Sequence, residues 1–156
     1  MAYLKLQTST ALNIVTSDDA NIPFPNAIAS GISGSVSANQ LEDVTGKFVT
    51  SNVQTGDVVV NLTTNQSATV VSVIDEENLL MNANIFLASG DKFVIYANNR
   101  KEGCVLYIGA GGTLRVITAS GQDVTFYGIL GGSFLPVNVL KVFQTGTSAS
   151  ELVALW

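Results

Sequence analysis

The sequence predicts an all-β protein with antiparallel strands and little or no helix. Short runs of about 4 to 8 residues rich in Val, Ile, Leu, Phe, Tyr and Thr alternate with Gly, Asn, Asp and Ser along the chain. No window of about a dozen residues keeps its apolar positions at helical spacing without a glycine or a β-branched interruption. Hydrophobic residues make up 47% and charged residues 12% of the chain, which favours turn-rich β structure and subunits that bury surface against neighbours.

The run-and-turn pattern predicts individual strands. A hairpin is expected over 113–126, TLRVITASGQDVTF, because two alternating runs flank Ser120 and Gly121, and glycine supplies the positive φ of a tight reversal. Residues 76–88 fit either a helical turn or a short strand and loop. The predicted strands are 12–16, 47–51, 57–62, 68–74, 91–97, 104–108, 114–118, 124–129, 137–143 and 152–156.

Three segments organise the chain. Residues 18–33 contain Pro23-Phe24-Pro25 and predict an extended arm or edge segment, because proline cannot donate to a strand ladder. Residues 34–97 have a strand rhythm of their own. The polar stretch NNRKEG (98–103) marks a boundary, and strand-rich sequence resumes after it.

Composition argues against several functional classes. The net charge is −5, and the seven basic residues are scattered, so the clustered Lys and Arg of a nucleic-acid-binding protein are absent from the sequence. No stretch approaches the roughly 18 to 20 apolar residues that span a bilayer. The start, MAYLKLQTST, lacks the apolar core of a signal peptide. We therefore expect synthesis in the host cytoplasm, with no nucleic-acid and no membrane partner.

The sequence offers little for catalysis. It has no histidine and one cysteine, so neither a zinc site nor a Ser-His-Asp or Cys-His arrangement can be built. Neighbouring carboxylates occur at 18–19, 42–43 and 75–77, where they fit solvated turns better than a catalytic pair. The stretch 75–78 lacks the spacing of an EF-hand calcium loop. The prediction is a protein that is not an enzyme and has no cofactor and no metal.

Two further features have competing interpretations. The glycines of 109–112 and 131–132 predict turns between strands, since the Lys and Ser/Thr of a phosphate-binding loop do not follow them. Cys104 lies in the apolar run GCVLYIG and predicts a buried, inert thiol. A reactive thiol would need a cationic setting, for which only Arg100 and Lys101 lie near in sequence.

Several stretches resemble a C-terminal module in virion structural proteins of tailed phages, especially marine and cyanobacterial ones. They are CVLYIGAGGTLRV (104–116), ITASGQDVTFYGILGGSFLPVNVLKV (117–142) and FQTGTSASELVALW (143–156), with LNIVTSDDANIPFPNAIASG (12–31) similar to the front of the module. In shorter relatives the proline arm leads almost directly into the counterpart of VLYIGAGG. The resemblance thus implies an antiparallel β-sandwich or jelly-roll-like outer domain, 1–33 plus 98–156, with 34–97 as an inserted small β module.

The same resemblance implies a capsid decoration (cement) protein on the outer surface of the virion, which stabilises the assembled shell by binding it. Its expected partners are the major capsid protein and sister copies in a homo-oligomer, expected to be a trimer. Two alternatives remain: a tail or spike-base subunit, and a carbohydrate-binding adhesion module. The tyrosines lie in strand patterns consistent with packing, which weighs against the last.

Four apolar residues are the expected assembly contacts. Leu155 and Trp156 belong to the run ELVALW, which is too apolar to remain in water and must be held by other residues. Phe24 and Ile28 belong to the proline arm. For both groups the alternative is packing within the chain's own sheet.

Overall fold

The computed structural model describes residues 8–99 and 102–156, and the described residues contain no helix. Their strands form two antiparallel sheets of six strands each. The all-β, antiparallel prediction is therefore confirmed. Residues 1–7 of the predicted start, and Arg100 and Lys101 of the expected boundary and of the expected setting of Cys104, lie outside the described residues.

The strands are numbered in chain order over the described residues. They are β1 (Ala11–Asn13), β2 (Ala27–Ile32), β3 (Gln40–Glu42), β4 (Val58–Asn61), β5 (Gln66–Val73), β6 (Asn78–Met81), β7 (Lys92–Tyr96), β8 (Cys104–Ala110), β9 (Gly112–Thr118), β10 (Asp123–Ile129), β11 (Ser133–Val142) and β12 (Ser150–Leu155).

The first sheet has the order β1-β12-β8-β11-β9-β10. Strands β8 and β9 both run antiparallel to β11: Leu106 of β8 pairs with Leu135, and Val116 of β9 pairs with Val142. They are therefore two parts of one bent strand that contact opposite sides of β11. This bend curls the sheet around a core of its own, the first core, in which Leu106, Val116 and Ala154 are fully buried.

The bend lies in the glycine run 109–112, which the sequence predicted to be a turn between strands. It is instead a kink within a continuing strand, because β9 continues in the direction of β8. A Cβ on Gly111 would collide with the Ile129 carbonyl oxygen and lie 2.8 Å from the Gly131 nitrogen. The absence of a side chain thus allows two backbone segments to meet. The expected hairpin of β9 and β10 is present, with Gly121 at φ 84°.

The second sheet has the order β2-β7-β4-β5-β6-β3. It encloses a separate cluster, the second core, in which Phe93 contacts two other rings. Its centroid lies 6.1 Å from that of Phe48 and 6.2 Å from that of Phe86. All three rings are at most 1% exposed, and the second core shares no residue with the first.

Of two segments predicted from the sequence, 47–51 needs correction, whereas 18–33, expected to be an extended arm or edge segment, contains β2 at the edge of the second sheet. Strand β2 lies before the expected boundary at 33/34, yet it pairs with β7 of the second sheet, Ser30 opposite Val94. Residues 47–51 were expected to be a strand but form a turn. There the Ser51 N–H donates to the Lys47 carbonyl, and Asn52 follows in the left-handed conformation at φ 58°, which ends an extended run. Residues 78–81 form the short strand β6, one of the two alternatives.

Residues 14–26 connect the sheets and contact both. The Ser17 hydroxyl donates to the Ser67 carbonyl of β5, while the Ser17 N–H donates to the Val142 carbonyl of β11. The Ala97 N–H donates to the Asn26 carbonyl at 3.3 Å. The chain therefore enters the second sheet after Asn26 and leaves it before Ala97, and these two residues are neighbours in space. That the two parts fold independently stays a prediction.

Candidate assembly surface

The proline arm packs on the last strand of its own chain. The rings of Phe24 and Trp156 meet edge to face, with centroids 5.3 Å apart. The Trp156 N–H donates to the Thr10 carbonyl, and the Ser9 N–H donates to the Trp156 carbonyl. Two of the four expected assembly contacts thus contact each other within one chain.

Leu155 lies on the other face of the same strand. Because side chains alternate along a strand, Leu152 and Ala154 point into the first core, and Leu155 points to the outer face of the sheet. There it is half-buried and opposite Val105. Leu155 and Trp156 are both partly buried, but Leu155 faces outward and Trp156 packs against the first core.

Ile28 is separate from the other three expected contacts. It lies on β2 and packs, partly buried, against the second core. With Lys47, Phe48 and Ser51 it lines a groove of about 410 Å³. The structure thus does not unite the four residues in one surface. That any of them contacts another subunit stays a prediction.

Three large apolar side chains on the β10–β11 hairpin are exposed to solvent. Tyr127 is 80%, Leu130 77% and Phe134 54% exposed. We call these three residues the apolar hairpin surface. Sequence reasoning missed it, although a signal was present: the sequence has no charged residue between Asp123 and Lys141.

The apolar hairpin surface continues across the outer face of the first sheet. Tyr107 of β8 pairs with Phe134 on one side and with Val153 on the other, and the Tyr107 and Phe134 ring centroids are 5.4 Å apart. Val105 and Leu155 form the next pair along the same face. Exposed aromatic and aliphatic side chains on adjacent strands are typical of a protein-binding surface.

The neighbouring carboxylates are held by hydrogen bonds. Asp75 accepts from the Glu77 N–H within a local turn, as the sequence predicted. Asp18 instead reaches a distant loop, accepting from the Thr145 hydroxyl at 2.6 Å and from its N–H at 3.1 Å. These bonds stabilise the ionised form and lower the pKa of Asp18 below its ordinary value. Asp18 therefore fixes the connecting segment to the first sheet.

Cys104 is buried in the first core, as the sequence predicted, and 2% exposed. Its Sγ lies 3.4 Å from the Val139 carbonyl oxygen. Desolvation disfavours the thiolate and raises the pKa of Cys104 to about 12. Over the described residues, no group of three or more His, Cys, Asp and Glu is placed to hold a metal ion.

The fold and surface define an all-β protein of two antiparallel sheets, the first of them curled, with exposed apolar side chains on the β10–β11 hairpin. Comparison with protein-family models, with curated proteins and with solved structures finds no match to this chain. Within the described part of the chain there is no helix of the length and apolar character that crossing a membrane requires.

Proposed function

We propose that this chain is a structural protein of a tailed-phage virion, specifically a capsid decoration protein on the outer surface of the assembled shell. The observation that supports this most is the apolar hairpin surface and its continuation over the first sheet. An exposed surface of aromatic and aliphatic side chains of this kind marks a site for a protein neighbour. The resemblance of residues 104–156 to phage virion proteins supplies the identity of that neighbour.

The charge of the chain fits this location. A protein with a net charge of −5 is repelled by packaged DNA but not by the outside of a shell. Sister copies on that shell would also repel one another unless their contact surfaces carried no charge. The three residues of the apolar hairpin surface are uncharged. We therefore propose the major capsid protein and sister copies as partners, in a trimer. The proposed function includes no catalytic step.

A tail or spike-base subunit is the second candidate, since the same surface would serve there. Labelling intact particles with an antibody against this chain distinguishes the two by electron microscopy. A decoration protein gives label over the whole head. Label confined to the tail would contradict the decoration role and favour the second candidate.

Binding to shells tests the surface itself. Purified protein is added to assembled shells that lack it, and the temperature of shell disruption is recorded. A ligand that binds only the assembled state at 100 times its Kd stabilises that state by about 2.7 kcal/mol, so disruption should move to higher temperature. Leu130→Asp should remove the shift.

Val44→Asp is the matched control, because Val44 is 65% exposed in the turn after β3 and is not part of the apolar hairpin surface. It should leave the shift unchanged. Equal stabilisation of shells by wild type and Leu130→Asp would refute the assigned surface. Light scattering of the isolated protein tests the oligomer, and a stable monomer at micromolar concentration would refute the trimer.

A further inference from the structure

The edge strands of the two sheets differ in length. Over the described residues, β1 and β10 end the first sheet, and β2 and β3 end the second. Strands β1 and β3 have three residues each and β2 has six, whereas β10 has seven. A long edge offers unpaired backbone groups to another chain, and proteins commonly shorten such an edge or place Lys or Pro on it. Strand β10, DVTFYGI, contains neither residue.

The pairing of β10 with β9 shows which of its backbone groups face the open edge. The Thr118 N–H donates to the Gln122 carbonyl at 2.9 Å, so Gln122 directs its backbone groups toward β9. This direction alternates along an antiparallel ladder, and the N–H and C=O groups of Asp123 and Thr125 therefore point away from β9. Arg115, opposite Thr125, has the same phase, because its carbonyl accepts a hydrogen bond on the far side of β9.

The first core is incompletely covered at the same edge. Val124 and Phe126 lie opposite Val116 and Leu114 of β9 and share their face of the sheet. The two β9 residues are fully buried, whereas Val124 and Phe126 are only partly buried. A strand added beside β10 would cover these two side chains. The edge thus offers backbone groups and apolar contact to the same extended segment.

A β-bulge limits which strand can pair with this edge. The register between β10 and β9 shifts between Phe126 and Ile129, and Gly128 has a φ of 64°. A bulge bends a strand and increases its twist, which hinders pairing with the rigid edge of a second copy. A single extended segment can follow the twist. Tyr127, in the bulge, is 80% exposed, which corrects the expectation that the tyrosines are packed.

We propose that β10 binds an extended segment of a partner protein, which joins the first sheet as an additional strand. The backbone of the segment bonds to Asp123 and Thr125, and its apolar side chains cover Val124 and Phe126. Asp123 carries the only charge of β10 and is already paired with Arg115 at 2.6 Å, so the edge favours an uncharged segment. The proposal rests on the proposed function for the source of the segment, which is the shell protein.

Hydrogen exchange of the full chain tests the backbone contact. In the isolated protein the amides of Asp123 and Thr125 should exchange rapidly, whereas the Val124 amide, which bonds to β9, should be protected. The same chain is then exchanged while bound to assembled shells that lack it, and single amides are read by fragmentation mass spectrometry. Binding should slow exchange at Asp123 and Thr125 by about tenfold or more.

Two outcomes of the exchange measurement would overturn the proposal. One is that binding to shells leaves the exchange rates of the Asp123 and Thr125 amides unchanged. The other is that these amides become protected in the isolated protein as its concentration rises, because a second copy would then occupy the edge.

Two substitutions at one position separate the backbone from the side chain. Thr125→Pro removes the outward N–H without breaking a hydrogen bond of the fold, and Thr125→Val keeps the N–H and the shape of the side chain. The Kd for shells is measured by sedimentation. Thr125→Pro should weaken binding by about tenfold, and Thr125→Val should stay within about twofold of wild type.

Ala11→Pro is the matched control on the other edge of the same sheet. The Trp156 N–H donates to the Thr10 carbonyl, so the next residue, Ala11, directs its N–H away from β12. Proline at this position should leave the Kd within about twofold of wild type. Wild-type affinity in Thr125→Pro, or equal weakening in Thr125→Pro and Thr125→Val, would contradict strand addition. The exchange measurement uses the unaltered chain and decides the question even if a proline variant unfolds.

Failure of this proposal is distinguishable from failure of the proposed function. Wild type that does not bind shells contradicts the decoration role and, with it, this proposal. Wild type that binds shells while the Asp123 and Thr125 amides remain unprotected contradicts strand addition alone.

Discussion

Replacing Gly111 by alanine tests whether the bend between β8 and β9 depends on a missing side chain. The new Cβ would collide with the Ile129 carbonyl oxygen and lie 2.8 Å from the Gly131 nitrogen. Both neighbours are backbone atoms within the sheet, so neither moves without disturbing strand pairing. Overpacking costs about 1–3 kcal/mol, and we expect the upper end because no flexible side chain is present to yield.

For a chain of this size, a loss of about 3 kcal/mol lowers Tm by roughly 6–12 °C. Differential scanning calorimetry at neutral pH measures it. Gly34→Ala is the matched control, because Gly34 also lacks a left-handed φ but its nearest neighbours, atoms of Glu42, lie at 3.5 Å. That variant should be neutral or stabilised by up to about 1 kcal/mol through a less flexible unfolded chain. Equal Tm values for the two variants would refute the role of the close approach.

Three further outcomes follow from other features. Deleting 27–96 and joining Asn26 to Ala97 should leave a first sheet that unfolds cooperatively on heating, since these residues already share a hydrogen bond; an aggregated product would mean that the sheets form one folding unit. Cys104, with its pKa raised to about 12, should resist thiol reagents at pH 8 until denaturant is added, and rapid native labelling would contradict its burial. The ionised Asp18 carboxylate, whose pKa is lowered by its hydrogen bonds, stabilises the fold above its unfolded pKa, near 3.8, and this contribution is lost as pH falls through the folded pKa. Asp18→Asn should therefore lose less stability than wild type between pH 5 and pH 2. Identical acid-unfolding profiles of the two proteins would exclude the contribution.

Sequence pattern was sufficient for the strands of the first sheet. Residues 104–108, 114–118 and 124–129 are short runs rich in β-branched, aliphatic and aromatic residues, and all three became strands. For 18–33 the sequence predicted an extended arm or edge segment, and β2 is an edge strand. Its partner β7 was not predicted, because the pairing depends on residues about 60 positions away. The pattern failed at 47–51, where Asn52 adopts the left-handed conformation and reverses the chain.

The surfaces were harder to predict than the strands. Phe24 and Trp156 were expected to contact other subunits, and their mutual contact joins positions at opposite ends of the sequence. The surface depression beside the β4–β5 turn likewise brings Asn13, Asn65 and Glu151 together from three separate segments of the chain. No local motif encodes such a set, because the strand order alone brings the residues together.

The pairing of β1 with β12 also determines how the chain would respond to mechanical tension. Ala11 lies opposite Leu155, and Asn13 opposite Val153, so residues 10 and 156 leave the pair at the same end of an antiparallel ladder. A force that separates residues 10 and 156 loads one cross-strand pair at a time, which is the unzipping geometry, and detaches β1 from β12. Strand β12 keeps its second neighbour, β8, throughout. The three-residue strand β1 would therefore yield at low force, and the rest of the first sheet would remain paired.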